Sequence, residues 1–110
     1  MIGFLPQEPE VLGHTIIAPK HHYVDLYDFS REILCEIFEF SRELAIHFRE
    51  AIGATGVNLM HASGQDAQQS VLHFHVHMLP GFKNDGLDTW PQLPEFEIDN
   101  DESLARLGKS

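Results

Sequence analysis

Apolar residues recur along the chain with two different spacings, and each spacing predicts a different kind of element. Between residues 30 and 53 they recur every three to four positions, as in an amphipathic helix. Ser30 is a favourable N-cap, and Gly53 lies just past the predicted end at about Ile52. The apolar residues cover a wider arc of this helix than packing on one small sheet requires, so we expect the helix to occupy either a deep core position or a subunit interface. Its main stripe and adjacent shoulder comprise Ile33, Ile37, Phe40, Leu44, Phe48 and Ala51, then Leu34, Phe38, Ala45 and Ile52.

Alternation with a period of two predicts β-strands in the rest of the chain. These strands are expected over residues 2–5, 15–18, 56–61 and 73–78. Pro80, which has no backbone donor, is expected to end the fourth strand. The predicted fold class is α+β, an antiparallel sheet with one long helix packed on it. Residues 1–110 are expected to form one domain, in which 91–110 are an acidic tail with a final helix over 101–107, capped by Asn100 or Asp101.

The fourth predicted strand alternates imidazole with large apolar side chains. His73, His75 and His77 are expected to share one face, and the apolar residues between them the other. Such a face has three interpretations: a merely polar surface, a metal site, or a centre for phosphoryl chemistry. A rise of about 3.3 Å per residue separates the outer two by about 13 Å, so all three cannot share one metal ion without bending the strand. The surrounding residues favour phosphoryl chemistry, in which imidazole is a nucleophile.

Composition restricts the classes of partner. The 110 residues have a formal net charge of −10, which argues against nucleic acid as the main partner. An anionic nucleotide would need local positive potential from Lys20, the histidines and backbone N–H groups. Cys35 is the only cysteine, which excludes an intrachain disulfide and a CxxC metal knuckle. Since the sequence has no run of 18 apolar residues and no charged-then-apolar leader, we expect a cytoplasmic protein without a membrane partner.

Three stretches, in this order, resemble the histidine triad (HIT) family of nucleotide hydrolases and transferases. They are a glycine-histidine strand at residues 12–22 (LGHTIIAPKHH), a strand at 56–60 (GVNLM) and the signature at 69–80 (QSVLHFHVHMLP). The resemblance extends from about Leu12 to Trp90. It implies a HIT-like fold, a two-fold homodimer, a small nucleotide substrate and no cofactor or metal.

The resemblance also implies catalytic roles for four residues. The middle histidine, His75, would attack the α-phosphorus and form a nucleotidyl-histidine intermediate. His77 would donate a hydrogen bond as negative charge grows, and Ser70 would donate its hydroxyl to the leaving group or a bridging oxygen. His73 would fix the strand and the tautomer of its neighbour.

Nucleotide-binding roles follow from the same resemblance for three further residues. His22 would lie beside the α-phosphate, and the backbone at Gln69 and Ser70 would cradle phosphate. Asn58 would either contact the ribose or satisfy backbone groups inside the sheet. His14, at the start of a strand, is expected to be structural.

The chain departs from the family pattern in three places. The family often carries an amide residue seven positions before Gln69, where this chain has Ala62 preceded by His61. Gly81 stands where a basic residue is common, and the stretch before the second strand is short. The implied function is a hydrolase or transferase acting at the α-phosphate of nucleoside phosphoanhydrides or phosphoramidates. The alternatives are a non-catalytic nucleotide-binding module and a histidine-based metal-binding protein.

Overall fold

Four strands form one antiparallel sheet in the computed structural model, which describes residues 1–90 and 93–108. The spatial order is β1-β2-β4-β3, so β4 lies inside the sheet and β3 at one edge. A long helix, α1, contacts β2, β3 and β4. The predicted class, an antiparallel α+β fold with one long helix on the sheet, is therefore confirmed. The strands are β1 (Ile2–Phe4), β2 (Thr15–Ala18), β3 (Gly56–Met60) and β4 (Val76–Gly81).

Helix α1 (Arg31–Ile52) has the predicted bounds and both predicted end signals. The Ser30 side chain accepts a hydrogen bond from the backbone N–H of Ile33, which satisfies one of the free donors of the first turn. Gly53 follows the last turn with φ 71°, in the left-handed region that glycine enters at little cost.

Most of the main stripe of α1 faces the sheet, whereas Ala51 at its end and part of the shoulder face outward. Ile37 and Phe48 are buried with Ile17 and Met78 in the core between helix and sheet. Ser41 is also buried within the stripe, where its hydroxyl donates to the backbone oxygen of the preceding turn. Leu34 and Phe38, by contrast, are 39% and 61% exposed. Core packing therefore explains the stripe but not the full width of the apolar arc.

The histidine-bearing strand differs from its predicted bounds at both ends. It begins at Val76 rather than His73, because the backbone N–H of Phe74 donates to Tyr23 at 2.6 Å instead of to a strand. It continues through Pro80 to Gly81. Beyond Met78, β4 is paired only with β3, and a residue without a donor is tolerated where one side of a strand is unpaired. The prediction that Pro80 ends the strand was therefore wrong.

The predicted separation of faces is nevertheless confirmed. Phe74, Val76 and Met78 are each at most 5% exposed and lie in the core. The three histidines between and beside them are half-buried on the opposite side of the chain.

The last described helix, α2 (Asn100–Leu107), begins one residue before the predicted 101–107. Its cap is Asp99, whose carboxylate accepts from the backbone N–H of Asp101, rather than either predicted residue. Within the described ranges α2 packs against no other helix or strand. Of the predicted tail 91–110, residues 91–92 and 109–110 lie outside the described residues. None of the described helices has the length and hydropathy needed to cross a membrane.

Candidate active site

His75 lies immediately before β4, between two depressions in the surface. The first, which we call the signature cleft, has a volume of about 290 Å³ and lies beside the loop from β3 to β4. The second, the apolar groove, has a volume of about 440 Å³ and lies over β1 and β2. The cleft is lined by Met60, His61, Ala62, Ala67, Gln68, Gln69, Ser70, His75 and His77. The groove is lined by Ile2, Phe4, Ile16, Ala18, Val71, His73 and His75.

Among the residues that the structure describes, the hydrogen bonding of His75 leaves one ring nitrogen with a free lone pair. Its Nδ1 lies 2.8 Å from the backbone oxygen of His73. A carbonyl oxygen can only accept, so Nδ1 carries the proton in this contact and a neutral ring keeps its lone pair on Nε2. The ring is half-buried and lines both depressions. His75 can therefore act as a nucleophile through Nε2.

A chain of hydrogen bonds from the backbone of Glu10 fixes the tautomers of His14 and His77. The Glu10 N–H donates to His14 Nδ1 at 3.1 Å, so the proton of a neutral His14 is on Nε2. His14 Nε2 lies 2.9 Å from His77 Nδ1 and donates to it. A neutral His77 then presents an Nε2–H donor on a ring that lines the signature cleft.

His14 is the clearest residue that sequence reasoning underrated. It is only 5% exposed, and its partner is 63 positions away, so no local pattern could reveal the contact. The local signal is an ionisable side chain directly after Gly13 at the start of a predicted strand, which by itself predicts a structural role.

Burial favours the neutral form of both rings in this pair. It is the main cause that lowers the pKa of His14 and of His77 below their usual value. Positive charge on His75 or His14 lowers the pKa of His77 further, whereas the Glu10 carboxylate opposes the shift at both rings. The neutral tautomers inferred from the hydrogen bonds are therefore the ones that burial supports.

Acidification should destabilise the wild-type protein more than the His77→Gln variant. In the unfolded chain the His77 ring takes up a proton near its ordinary pKa of 6.5, whereas in the folded protein it does so only at lower pH. The contribution of neutral His77 to the free energy of unfolding is therefore fully present above pH 6.5 and is lost as the pH falls through the pKa of the folded protein. Denaturant unfolding at about pH 7.5 and about pH 5 measures the loss in each protein. The exposed His47→Gln is the matched control, and an equal loss in wild type and His77→Gln would refute this account.

His73 and His22 form a second imidazole pair on the far side of His75. His73 Nε2 donates to the backbone oxygen of Pro19 at 3.1 Å, and its Nδ1 lies 3.3 Å from Nδ1 of His22. His22 thus contacts His73 and does not line the signature cleft. Asn58 is half-buried on β3, opposite Leu79, and is likewise not a lining residue of the cleft.

Gln69 and Ser70 lie together at the cleft but have different surroundings. The Gln69 side chain accepts from the backbone N–H of Gly64 at 2.8 Å and donates to the backbone oxygens of Val24 and Val71. Its amide is therefore occupied in bracing the loop. Ser70, beside it, is exposed at the wall of the cleft.

His61 is a second residue of the signature cleft whose position at the site the sequence does not reveal. The sequence places it at the end of the strand predicted over 56–61 and next to Ala62, where the family often has an amide, and β3 ends one residue earlier, at Met60. In the structure both residues line the cleft, and His61 Nδ1 lies 3.0 Å from the backbone oxygen of His75.

Comparison with known proteins gives one consistent result. The family model described as the HIT domain matches residues 1–84. Protein hit of Bacillus subtilis is 32% identical over 78% of this chain and 60% of its own length. An uncharacterised HIT-like protein of Mesomycoplasma hyorhinis is 35% identical, covering 76% of this chain and 75% of its own. A zinc-bound histidine triad family protein of Mycobacterium smegmatis has a similar structure, with a TM-score of 0.74 and 32% identity over 96% of this chain and 78% of the other.

Proposed function

This chain belongs to the histidine triad (HIT) family, a superfamily of nucleotide-binding hydrolases and transferases, and from that premise we propose a specific reaction for it. The protein cleaves a phosphoanhydride or phosphoramidate bond at the α-phosphate of a nucleotide, through a nucleotidyl intermediate on His75. The observation that carries this proposal is the position of His75. Its ring joins a cleft rich in donors to an apolar groove, with Nδ1 tied to a carbonyl and Nε2 left as a nucleophile.

In the first step the Nε2 lone pair of His75 forms a bond to the α-phosphorus. The bond from phosphorus to the leaving group breaks, and its electron pair departs with that group. A phosphate leaving group departs as an anion and needs only hydrogen bonds, which Nε2–H of His77 and the Ser70 hydroxyl supply. An amine leaving group needs a proton, which the exposed Ser70 hydroxyl relays from solvent as it donates its own proton to the departing nitrogen. Because burial lowers the pKa of His77, that ring stays neutral and stabilises the growing charge as an Nε2–H donor.

In the second step water, or another acceptor in the case of a transferase, replaces His75 on phosphorus. The bond from phosphorus to Nε2 breaks, the lone pair returns to the ring, and the proton of the attacking water passes through the exposed Ser70 hydroxyl to solvent. Nδ1 of His75 stays hydrogen-bonded to His73 throughout, so the ring keeps its direction.

The apolar groove suits the nucleoside part of the substrate. Phe4, Ile16 and Ala18 line the groove next to His75, and the ring of Phe4, which is 47% exposed, offers an aromatic partner for a nucleobase. The net charge of −10 argues against a long nucleic acid in this position. We therefore propose a mononucleotide unit with its base over the groove and its α-phosphate in the signature cleft.

We further propose a homodimer built on the exposed part of α1. Leu34, Phe38 and Ile46 form an exposed apolar stripe on the helix. At its C-terminal half this stripe reaches the first residues of β3, which is an edge strand within the described residues. Pairing this surface with its own copy would cover both the stripe and the strand edge. Sedimentation of wild type and Phe38→Glu tests this, with a monomeric Phe38→Glu as the expected result.

That residues 1–110 form one domain, and that the protein is cytoplasmic, both remain predictions.

Turnover of two substrate classes tests the proposed function. Wild-type protein is assayed with a lysine-linked AMP phosphoramidate and with diadenosine polyphosphates, alongside AMP binding by calorimetry. We expect release of AMP from at least one class. AMP binding without turnover of either class would instead support a non-catalytic module. Because the M. smegmatis relative is zinc-bound, each assay is repeated with a chelator; activity that requires zinc would contradict a mechanism carried by imidazoles alone.

A further inference from the structure

We infer that His61 is a positioning residue that holds the backbone of His75 in place for attack. This inference rests on the proposed function, because it assumes that His75 is the nucleophile. It assigns to His61 a role that is separate from substrate binding and from proton transfer.

The need for such a residue arises from where the sheet ends. The pairing of β3 with β4 runs from Gly56 opposite Gly81 to Met60 opposite His77. His75 lies two residues beyond this last pair, and β2 pairs with β4 only as far as Val76, opposite Ile17, so neither ladder includes His75 itself. Its carbonyl oxygen accepts instead from Nδ1 of His61 at 3.0 Å. A side-chain donor thus takes the place of a backbone donor immediately after the sheet stops.

The ring of His61 is itself fixed from two sides. Its Nε2 is hydrogen-bonded to the Ser63 hydroxyl, and that oxygen also accepts from the backbone N–H of Leu26 at 2.8 Å. The hydroxyl proton of Ser63 is therefore free to go to Nε2, which leaves the proton of a neutral His61 on Nδ1, facing the carbonyl. The ring also packs on Phe74, with 4.3 Å between ring centroids.

The direction of His75 depends on this backbone contact. His75 Nδ1 is tied to the carbonyl of His73, two residues away in the same segment, so ring and backbone move together. A shift of the segment by a fraction of an ångström would turn Nε2 away from the phosphorus. A misplacement of about 1 Å can cost a factor of about 10² in rate. The contact is exposed, so its loss should affect the rate much more than the stability.

Three substitutions at His61 distinguish the effect of its hydrogen-bond donor from that of its aromatic ring. His61→Phe keeps a ring on Phe74 and removes the donor, and we expect kcat to fall about tenfold to a hundredfold with KM changed less than about threefold. His61→Asn places an amide N–H near the position of Nδ1 and should restore kcat to within about threefold of wild type. The side chain of His61→Gln is one methylene longer, so its amide lies beyond the position of Nδ1, and this variant should not restore kcat. His47→Phe, the same change on an exposed helix position, is the matched control.

The outcomes distinguish this inference from the proposed function. If wild-type protein neither turns over nor labels His75, the proposed function fails and the inference with it. If wild type is active and His61→Phe keeps its kcat, only the positioning role is refuted. Equal losses in the Asn and Gln variants would also overturn it, and that comparison stands even if His61→Phe fails to fold. The rate constant of leaving-group release in single-turnover experiments reports formation of the intermediate directly.

Discussion

Replacing His75 by alanine should lower turnover by about a thousandfold or more and leave the fold intact. In the proposed mechanism this variant has no nucleophile, so only substrate positioning and the donors of His77 and Ser70 remain. Removing one member of a catalytic unit commonly costs rates of this order. The side chain is half-buried at the edge of two depressions and is not part of the buried core. We therefore expect an unfolding midpoint close to that of wild type, and kcat and thermal unfolding measured on one preparation test both statements.

The exposed His47→Ala is the control for this experiment, since it removes an imidazole from α1, far along the chain from the signature. A His75→Ala variant that keeps more than about a tenth of wild-type turnover would contradict a covalent route through this residue. Unchanged AMP affinity in an inactive variant would locate the effect in the chemical step.

Replacing Gly13 by alanine should destabilise the fold by about 2–4 kcal/mol. Gly13 has φ +84°, and a Cβ built there would lie 2.6 Å from Cδ1 of Ile52 and 3.1 Å from Cγ of Pro80. The variant therefore combines left-handed strain with overpacking between α1 and β4. Urea denaturation measures the free energy of unfolding. Since His14 is the next residue, the contact between His14 and His77 should weaken as well, and turnover should fall in the protein that remains folded.

Gly86→Ala is the matched control for strain without overpacking. Gly86 has φ +72°, and a Cβ there meets no atom of residues 1–90 or 93–108 within 4 Å. Gly86→Ala should lower the free energy of unfolding only by the cost of a left-handed backbone conformation, about 1–2 kcal/mol. Equal destabilisation by the two variants would show that the space around Gly13 is not limiting.

The sequence predicts the long helix well because the signals that define α1 are local. Ser30 and Gly53 act on the turns next to them, and the apolar spacing reports the face that meets the sheet. The separation of histidines from apolar residues at 73–78 is equally local, since it follows from alternation along one segment. These features hold whatever the rest of the chain does.

The parts that could not be predicted depend on distant partners. The alternation at 73–78 cannot show that Phe74 donates to Tyr23, which shifts the start of β4 to Val76. Nor can it show that His14 contacts His77 while His22 contacts His73, because those pairs are 63 and 51 positions apart. The order of the histidines therefore predicts membership of the family, but not how their side chains pair in space.

The most direct test of the account is to locate the covalent intermediate. Excess wild-type protein is mixed with an adenylated substrate, quenched in base, where a bond from phosphorus to imidazole survives, and digested for peptide mass spectrometry. We expect one nucleotidyl group on the peptide that contains residues 73–77, with fragmentation placing it on His75. Turnover that proceeds with the label on another residue, or with no label at any time before product appears, would contradict the central claim.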